Sequence, residues 1–191
     1  MKIILASQSP RRKQILSEIG YEFDIIVPNV NEDLIDGVSP AEFVKILSKR
    51  KSEAVTEMLS GENDTFTIIA ADTVVVINDK ILGKPLDEAD AFNMLKTLSG
   101  NWHSVFTGLT VMYIENKNTD FLTEVCETRV KFRNLTDQEI LAYIKTGESF
   151  DKAGSYGIQG FGKDFVETYD GSFTNVVGLP KELLTKLIQQ G

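Results

Sequence analysis

The sequence predicts an α/β protein built on a mixed sheet flanked by helices, and three observations carry that prediction. Lys2 to Ala6 is a short apolar run followed at once by Ser9-Pro10, an N-cap and a first helical residue, so the chain opens as strand, tight turn and helix. Ile68 to Ile77 is so apolar and β-branched that it reads as a central strand covered on both faces. His103 to Ile114 and Phe121 to Phe132 alternate in polarity on either side of Glu115-Asn116-Lys117-Asn118, the pattern of an antiparallel hairpin. A parallel opening followed by long antiparallel strands gives a mixed sheet rather than a simple doubly wound one.

The remaining elements follow in order. The first helix runs to about Ile19, where Gly20 terminates it, and Phe23 to Val27 is a second strand. Ser39-Pro40-Ala41-Glu42 is a capping box that opens a long helix to about Leu59; 60–65 is a surface loop. The central strand turns through Asn78-Asp79-Lys80 into Ile81-Leu82-Gly83, and Asp87 to Leu98 has apolar residues at helical spacing, closed by Gly100. Thr136-Asp137-Gln138-Glu139 is a second capping box, for a helix to about Thr146. Phe165 to Tyr169 is a strand, and Pro180 starts a last helix to about Gln190. No linker, low-complexity stretch or repeat divides these elements, so 1–191 is expected to be one domain.

Composition narrows the function. With 42% hydrophobic and 25% charged residues, the 191-residue chain can bury a sizeable core as a soluble globular protein. The balance of 20 Lys+Arg against 28 Asp+Glu, net −8, argues against nonspecific nucleic-acid or anionic-membrane binding. The apolar run at the start is too short for a secretion signal, so a cytoplasmic protein is expected. The single cysteine, Cys126, rules out an internal disulfide or a cysteine-rich zinc site and reads as a structural strand residue. The one histidine, His103, follows Trp102 at the start of a strand and is also read as structural.

Against that background Asp72 stands out. An unpaired carboxylate inside a buried strand costs several kcal/mol, so it calls for a metal ion, a basic partner or a cleft that opens there. The alternative is a strand that ends at Ala71 and leaves Asp72-Thr73 in a turn. Ser7-Gln8-Ser9-Pro10-Arg11-Arg12-Lys13 places arginines in a first helical turn, where they oppose the helix dipole by a few tenths to about 1 kcal/mol each; a bound phosphate would compensate. A solvated basic patch is the plainer reading. Val44, Leu47, Lys51, Val55 and Met58 form an inward stripe, so Lys51 points to an anion or snorkels to the surface. Gly83-Lys84-Pro85 sets a lysine at the end of the returning strand on a backbone that proline makes rigid.

Ala153 to Lys163 crowds four glycines into nine residues and reads as a ligand-approaching loop or a set of tight turns, with Gln159 able to read a base edge. Gly157 to Asp164 spells nearly a P-loop. It lacks the Ser/Thr that binds metal, and a strand follows where a P-loop needs a helix, so that reading is rejected. In the loop Asn31-Glu32-Asp33, Glu32 either completes a Mg²⁺ or Mn²⁺ site with Asp72 or is simply solvated. Several local cations, a buried acid and a glycine-rich wall on an acidic chain point to a phosphorylated small molecule handled with a metal.

These residues resemble those of the Maf (septum formation) family of nucleoside triphosphate pyrophosphatases. Leu5-Ala6-Ser7-Gln8-Ser9-Pro10-Arg11-Arg12, Ala71-Asp72-Thr73, Gly83-Lys84-Pro85, Asp151 to Gly160 and Val177-Gly178-Leu179-Pro180 match its signatures in the family order. The resemblance implies an inosine-triphosphatase-like fold with an elongated mixed sheet and two lobes around a cleft. It also implies metal-dependent hydrolysis of a nucleoside triphosphate between the α and β phosphates. On it, Asp72 matches the catalytic acid, a general base or metal ligand for the attacking water. Ser7, Arg12, Lys51 and Lys84 match phosphate contacts, with Arg11 beside them, and Glu32 the acidic loop position. Arg12, Thr73 and Gln159 match the branch that prefers dTTP and UTP, with modified pyrimidine nucleotides as further candidates, whereas another branch acts on 7-methyl-GTP. Asn31 stands where a second acid is common beside Glu32. A homodimer is expected on the same ground, and a non-catalytic nucleotide-binding regulator of septum formation is the alternative of a different class.

Overall fold

The computed structural model describes residues 2–59, 65–115 and 118–190. Its strands are β1 (Lys2–Leu5), β2 (Phe23–Ile25), β3 (Phe66–Ile77), β4 (Lys80–Leu82), β5 (Trp102–Glu115), β6 (Asn118–Phe132) and β7 (Val166–Asp170). They form one seven-stranded sheet in the order β2-β1-β3-β5-β6-β7, with β4 paired to β3 off that path. The helices are α1 (Pro10–Ile19), α2 (Pro40–Met58), α3 (Glu88–Leu98), α4 (Asp137–Ile144), α5 (Phe173–Val177) and α6 (Lys181–Gln190). This is the mixed α/β architecture that the sequence predicts. The chain divides into two compact units, one of residues 1–72, 107–126 and 178–191, the other of 73–106 and 127–177.

In the first unit β1 pairs in parallel with both β2 and β3, in register Ile3 to Phe23 and Leu5 to Ile69. Ile4 of β1, Ala6 just past it, and Phe66, Ile68 and Ala70 of β3 pack with Val55 of α2 and Met112 of β5. Ser9 caps α1, and Gly20 ends it at φ 98, a left-handed conformation that glycine adopts without a steric penalty. At α2 only half of the expected capping box forms: Ser39 Oγ accepts from the Glu42 amide, while the Glu42 carboxylate turns to Lys45, 3.9 Å away. The buried face of α2 is Phe43, Val44, Leu47, Ser48, Lys51, Ser52 and Val55. Met58, expected on that stripe, is 55% exposed, because it occupies the last helical residue. Gly108 permits the close approach of α2, since a Cβ there would lie 2.2 Å from the Val44 carbonyl oxygen.

In the second unit β4 folds back antiparallel on β3 through Asn78 and Asp79, both at positive φ, and β7 pairs antiparallel with β6. Val75, Leu95, Leu98, Val130, Phe132, Ile140 and Phe165 lie in its core. Asp87 caps α3, and the predicted capping box of Thr136 and Glu139 forms in full at α4. His103 is structural, as expected: it is 4% exposed, bonded to Tyr156 Oη at 2.8 Å, and edge-on to Phe132 and Tyr156. Burial pushes its imidazole pKa down to about 4.

Element boundaries moved slightly. β2 stops at Ile25 rather than Val27, which is 49% exposed, and Phe173–Val177 forms a short helix, α5, that the sequence pattern does not predict. Residues 60–64 of the expected surface loop and 116–117 of the hairpin turn lie outside the described residues.

Candidate active site

The site grows from β3. That strand continues through Asp72 to Ile77, so the turn reading is excluded and a carboxylate with 7% exposure sits inside a strand. Its compensation is a basic partner. Lys51 Nζ donates to Asp72 Oδ1 at 2.6 Å and lies 2.6 Å from Glu32 Oε1 as well. The ion pair exists because Leu47, Lys51 and Val55 follow one another at four-residue spacing on the buried face of α2. At 8% exposure Lys51 does not snorkel. The anions it meets in this structure are the protein's own carboxylates, Asp72 and Glu32. Among the described residues the Asp72 side chain makes no hydrogen bond other than that from Lys51 to Oδ1, which leaves Oδ2 to accept a proton.

A second group forms where β1 meets α1. Arg12 Nε donates to the Gly178 carbonyl at 2.8 Å, and Nη1 donates to Ser7 Oγ at 3.3 Å. Ser7 Oγ also accepts from the Ser9 amide at 3.1 Å, so the hydroxyl is fixed from two sides. Burial lowers the Arg12 pKa from its usual value, Asp72 and Glu32 oppose that shift, and the like charge of Arg11 reinforces it. The same two carboxylates therefore act on both cations. Ser7, Arg12, Glu32, Lys51 and Asp72 thus converge as one charged cluster within the first unit, with Arg11 at its edge.

Thr73, Lys84 and Gln159 belong to the second unit. Thr73 follows Asp72 directly on β3, and Lys84 is exposed just past β4. Gln159 is partly buried and lines a pocket of about 560 Å³ with Ile158, Lys163, Val166, Tyr169 and Phe173. The glycine cluster folds as tight 3₁₀ turns, Ala153–Ser155 and Gly160–Phe165, and runs straight into β7, in line with the rejected P-loop.

The donor set suits a divalent cation on one condition. Two carboxylate oxygens already converge on a single positive charge, and Mg²⁺ or Mn²⁺ accepts one or two carboxylates when waters and substrate phosphates complete its shell. Among the described residues no group of three or more His, Cys, Asp or Glu could hold an ion by itself. The substrate would have to supply the rest.

Two residues escaped the sequence reading. Gly178 contributes through its carbonyl oxygen, for which no side-chain signal exists, although the motif Val177-Gly178-Leu179-Pro180 marks the place. Glu148 accepts hydrogen bonds from the glycine-rich loop, and nothing in the pattern around it singles it out.

The Maf-like protein family matches residues 2–191. A dTTP/UTP pyrophosphatase of Caldicellulosiruptor bescii is 46% identical over 99% of this chain and 94% of its own. The protein of that description from Bdellovibrio bacteriovorus is 44% identical over 98% and 97%, and that from Aquifex aeolicus 47% identical over 100% and 95%. A solved dITP/XTP pyrophosphatase from Mycobacterium abscessus aligns over 100% of this chain at 13% identity with a TM-score of 0.42, too slight a likeness to build on.

Proposed function

The chain belongs to the Maf family, and on that premise we propose that it hydrolyses dTTP and UTP to the nucleoside monophosphate and pyrophosphate. Full-length relatives of 44–47% identity carry that activity in their names. The observation that carries the reading to this chain is Asp72, a buried strand carboxylate tied to Lys51 and Glu32 with one oxygen left to take a proton. A protein that only bound a triphosphate would gain little from a carboxylate there, because like charges repel.

In the reaction, Asp72 Oδ2 takes the proton of the water that attacks the phosphoanhydride, a contribution of about 10²- to 10⁴-fold. Lys51 fixes that carboxylate and offers its ammonium to phosphate oxygens. Arg12, held by Gly178 and Ser7 and facing the charges of Asp72 and Glu32, is assigned to the triphosphate. Asp72 and Glu32 would hold a Mg²⁺ or Mn²⁺ ion, which when bound neutralises phosphate charge and lowers the pKa of water. Lys84 is assigned to phosphate, and Thr73 and Gln159, with Arg12, to the choice of base. Among the described residues no helix is long and apolar enough to cross a membrane. A cytoplasmic site of action, a homodimeric state and a role in nucleotide-pool sanitation linked to cell division belong to the same proposal.

The test offers dTTP, UTP, CTP, dATP, GTP and 7-methyl-GTP with Mg²⁺ or Mn²⁺ and separates pyrophosphate from single phosphate release. Pyrophosphate from dTTP and UTP is expected. Preference for 7-methyl-GTP would overturn the base assignment and keep the reaction, while binding without turnover would leave a regulator.

A further inference from the structure

We propose that Glu148 is a positioning residue for base selection, acting through the loop that carries Gln159; this rests on the reading of Gln159 given above. Glu148 Oε2 accepts from the Phe161 amide at 3.0 Å, and Oε1 accepts from the Gly162 amide at 3.4 Å and from Tyr143 Oη at 3.1 Å. One carboxylate therefore gathers the two amides that follow Gln159 by two and three residues. Between them and Gln159 lies Gly160 at φ 79, and a Cβ there would fall 2.6 Å from Glu148 Oε2, so loop and carboxylate are packed against each other.

The anchor is itself held. The Glu148 amide donates to Thr146 Oγ1 at 3.2 Å, and its carbonyl accepts from Lys152 Nζ at 2.6 Å. The Tyr143 hydroxyl, whose pKa is raised by burial and then by the Glu148 charge, stays a neutral donor to it. Gln159 has no side-chain capping bond to its own turn, so its amide is available to a ligand while the backbone beneath is tied down. A side chain that discriminates by hydrogen bonding needs such support, because a shift of about 1 Å forfeits the bond. Glu148 supplies it without touching the substrate.

The experiment is a cycle of Glu148→Ala, Gln159→Ala and the double variant, read as the ratio of kcat/KM for dTTP to that for dCTP. Amide exchange at Phe161 and Gly162 and a thermal melt are recorded beside it. Glu148→Ala should cut the ratio roughly tenfold, chiefly through KM for dTTP, and should add nothing once Gln159 is gone. Glu148→Gln, which keeps an acceptor oxygen, should recover part of the ratio. Faster exchange at both amides with an intact melt is expected. Equal losses for both nucleotides, or full additivity in the cycle, would overturn the positioning role. Unchanged exchange would overturn the anchor even in an active enzyme. Failure of the wild type to turn over dTTP or UTP would instead overturn the substrate reading and the selection role with it, while the exchange result still decides the anchor.

Discussion

Each unit of the molecule buries ionisable groups, and the two handle them in opposite ways. In the first, Lys51 and Asp72 hold each other at 2.6 Å, with Glu32 as a third partner. In the second, His103 is set among Phe132 and Tyr156 and loses its charge, its pKa falling to about 4 through burial. A triphosphate site needs formal charges that stay formal, and these survive away from water only in mutual contact. A core needs no charge, and there an imidazole is a polar ring with one good hydrogen bond.

The largest effect should come from breaking the charged cluster at its chemical centre. Asp72→Asn is expected to lower pyrophosphate release from dTTP by two to four orders of magnitude. Turnover near the wild-type level would remove Asp72 from the mechanism. The sequence alone suggests that this change would stabilise the fold by deleting an unpaired buried charge. The Lys51 pair reverses that expectation, and a loss of about 1–3 kcal/mol in urea unfolding is now predicted. Lys51→Met goes further, because it removes the ammonium that holds both Asp72 and Glu32 at 2.6 Å. About 3 kcal/mol of stability should be lost. If Lys51→Met were as stable as the wild type, the carboxylates would not depend on that ammonium.

These two variants also mark what could be read in advance. Asp72 was legible because nine apolar or β-branched neighbours make one carboxylate conspicuous, and Lys51 because helical spacing placed it among Leu47 and Val55. That the two touch was not legible, since the register of a helix over a sheet is set by tertiary packing. Glu32 sits in a loop without periodicity, so its pairing with Lys51 had no sequence signal. Glu148 and the Gly178 carbonyl were invisible for a related reason: each acts through backbone groups, which every residue possesses. Met58 failed as a core residue because periodicity cannot say where a helix stops being covered.

A smaller effect tests the neutral side of the comparison. The folded pKa of His103 is depressed below its unfolded value of about 6.5, so between that pH and about 4 the unfolded chain binds the extra proton. Stability from this group is therefore complete above pH 6.5 and is lost as pH falls toward 4, by about 3 kcal/mol in all. His103→Phe cannot titrate, and its unfolding free energy relative to the wild type should improve steadily from pH 7 to pH 4.5. A difference independent of pH would mean that the ring is not held neutral by burial.

The smallest effect separates packing from hydrogen bonding around that ring. Tyr156→Phe keeps the edge-on stacking with Phe132 and His103, whose centroids lie 4.6 and 5.4 Å away, and deletes only the hydroxyl at 2.8 Å from His103 Nε2. A loss of about 1 kcal/mol in urea unfolding is expected at pH 7, the ordinary net worth of one buried hydrogen bond. Losing several kcal/mol instead would show that the hydroxyl, and not the aromatic enclosure, fixes the imidazole. His103 would then resemble the charged cluster, where specific polar partners decide the arrangement, and the contrast between the two units would rest on the kind of partner rather than on the presence of one.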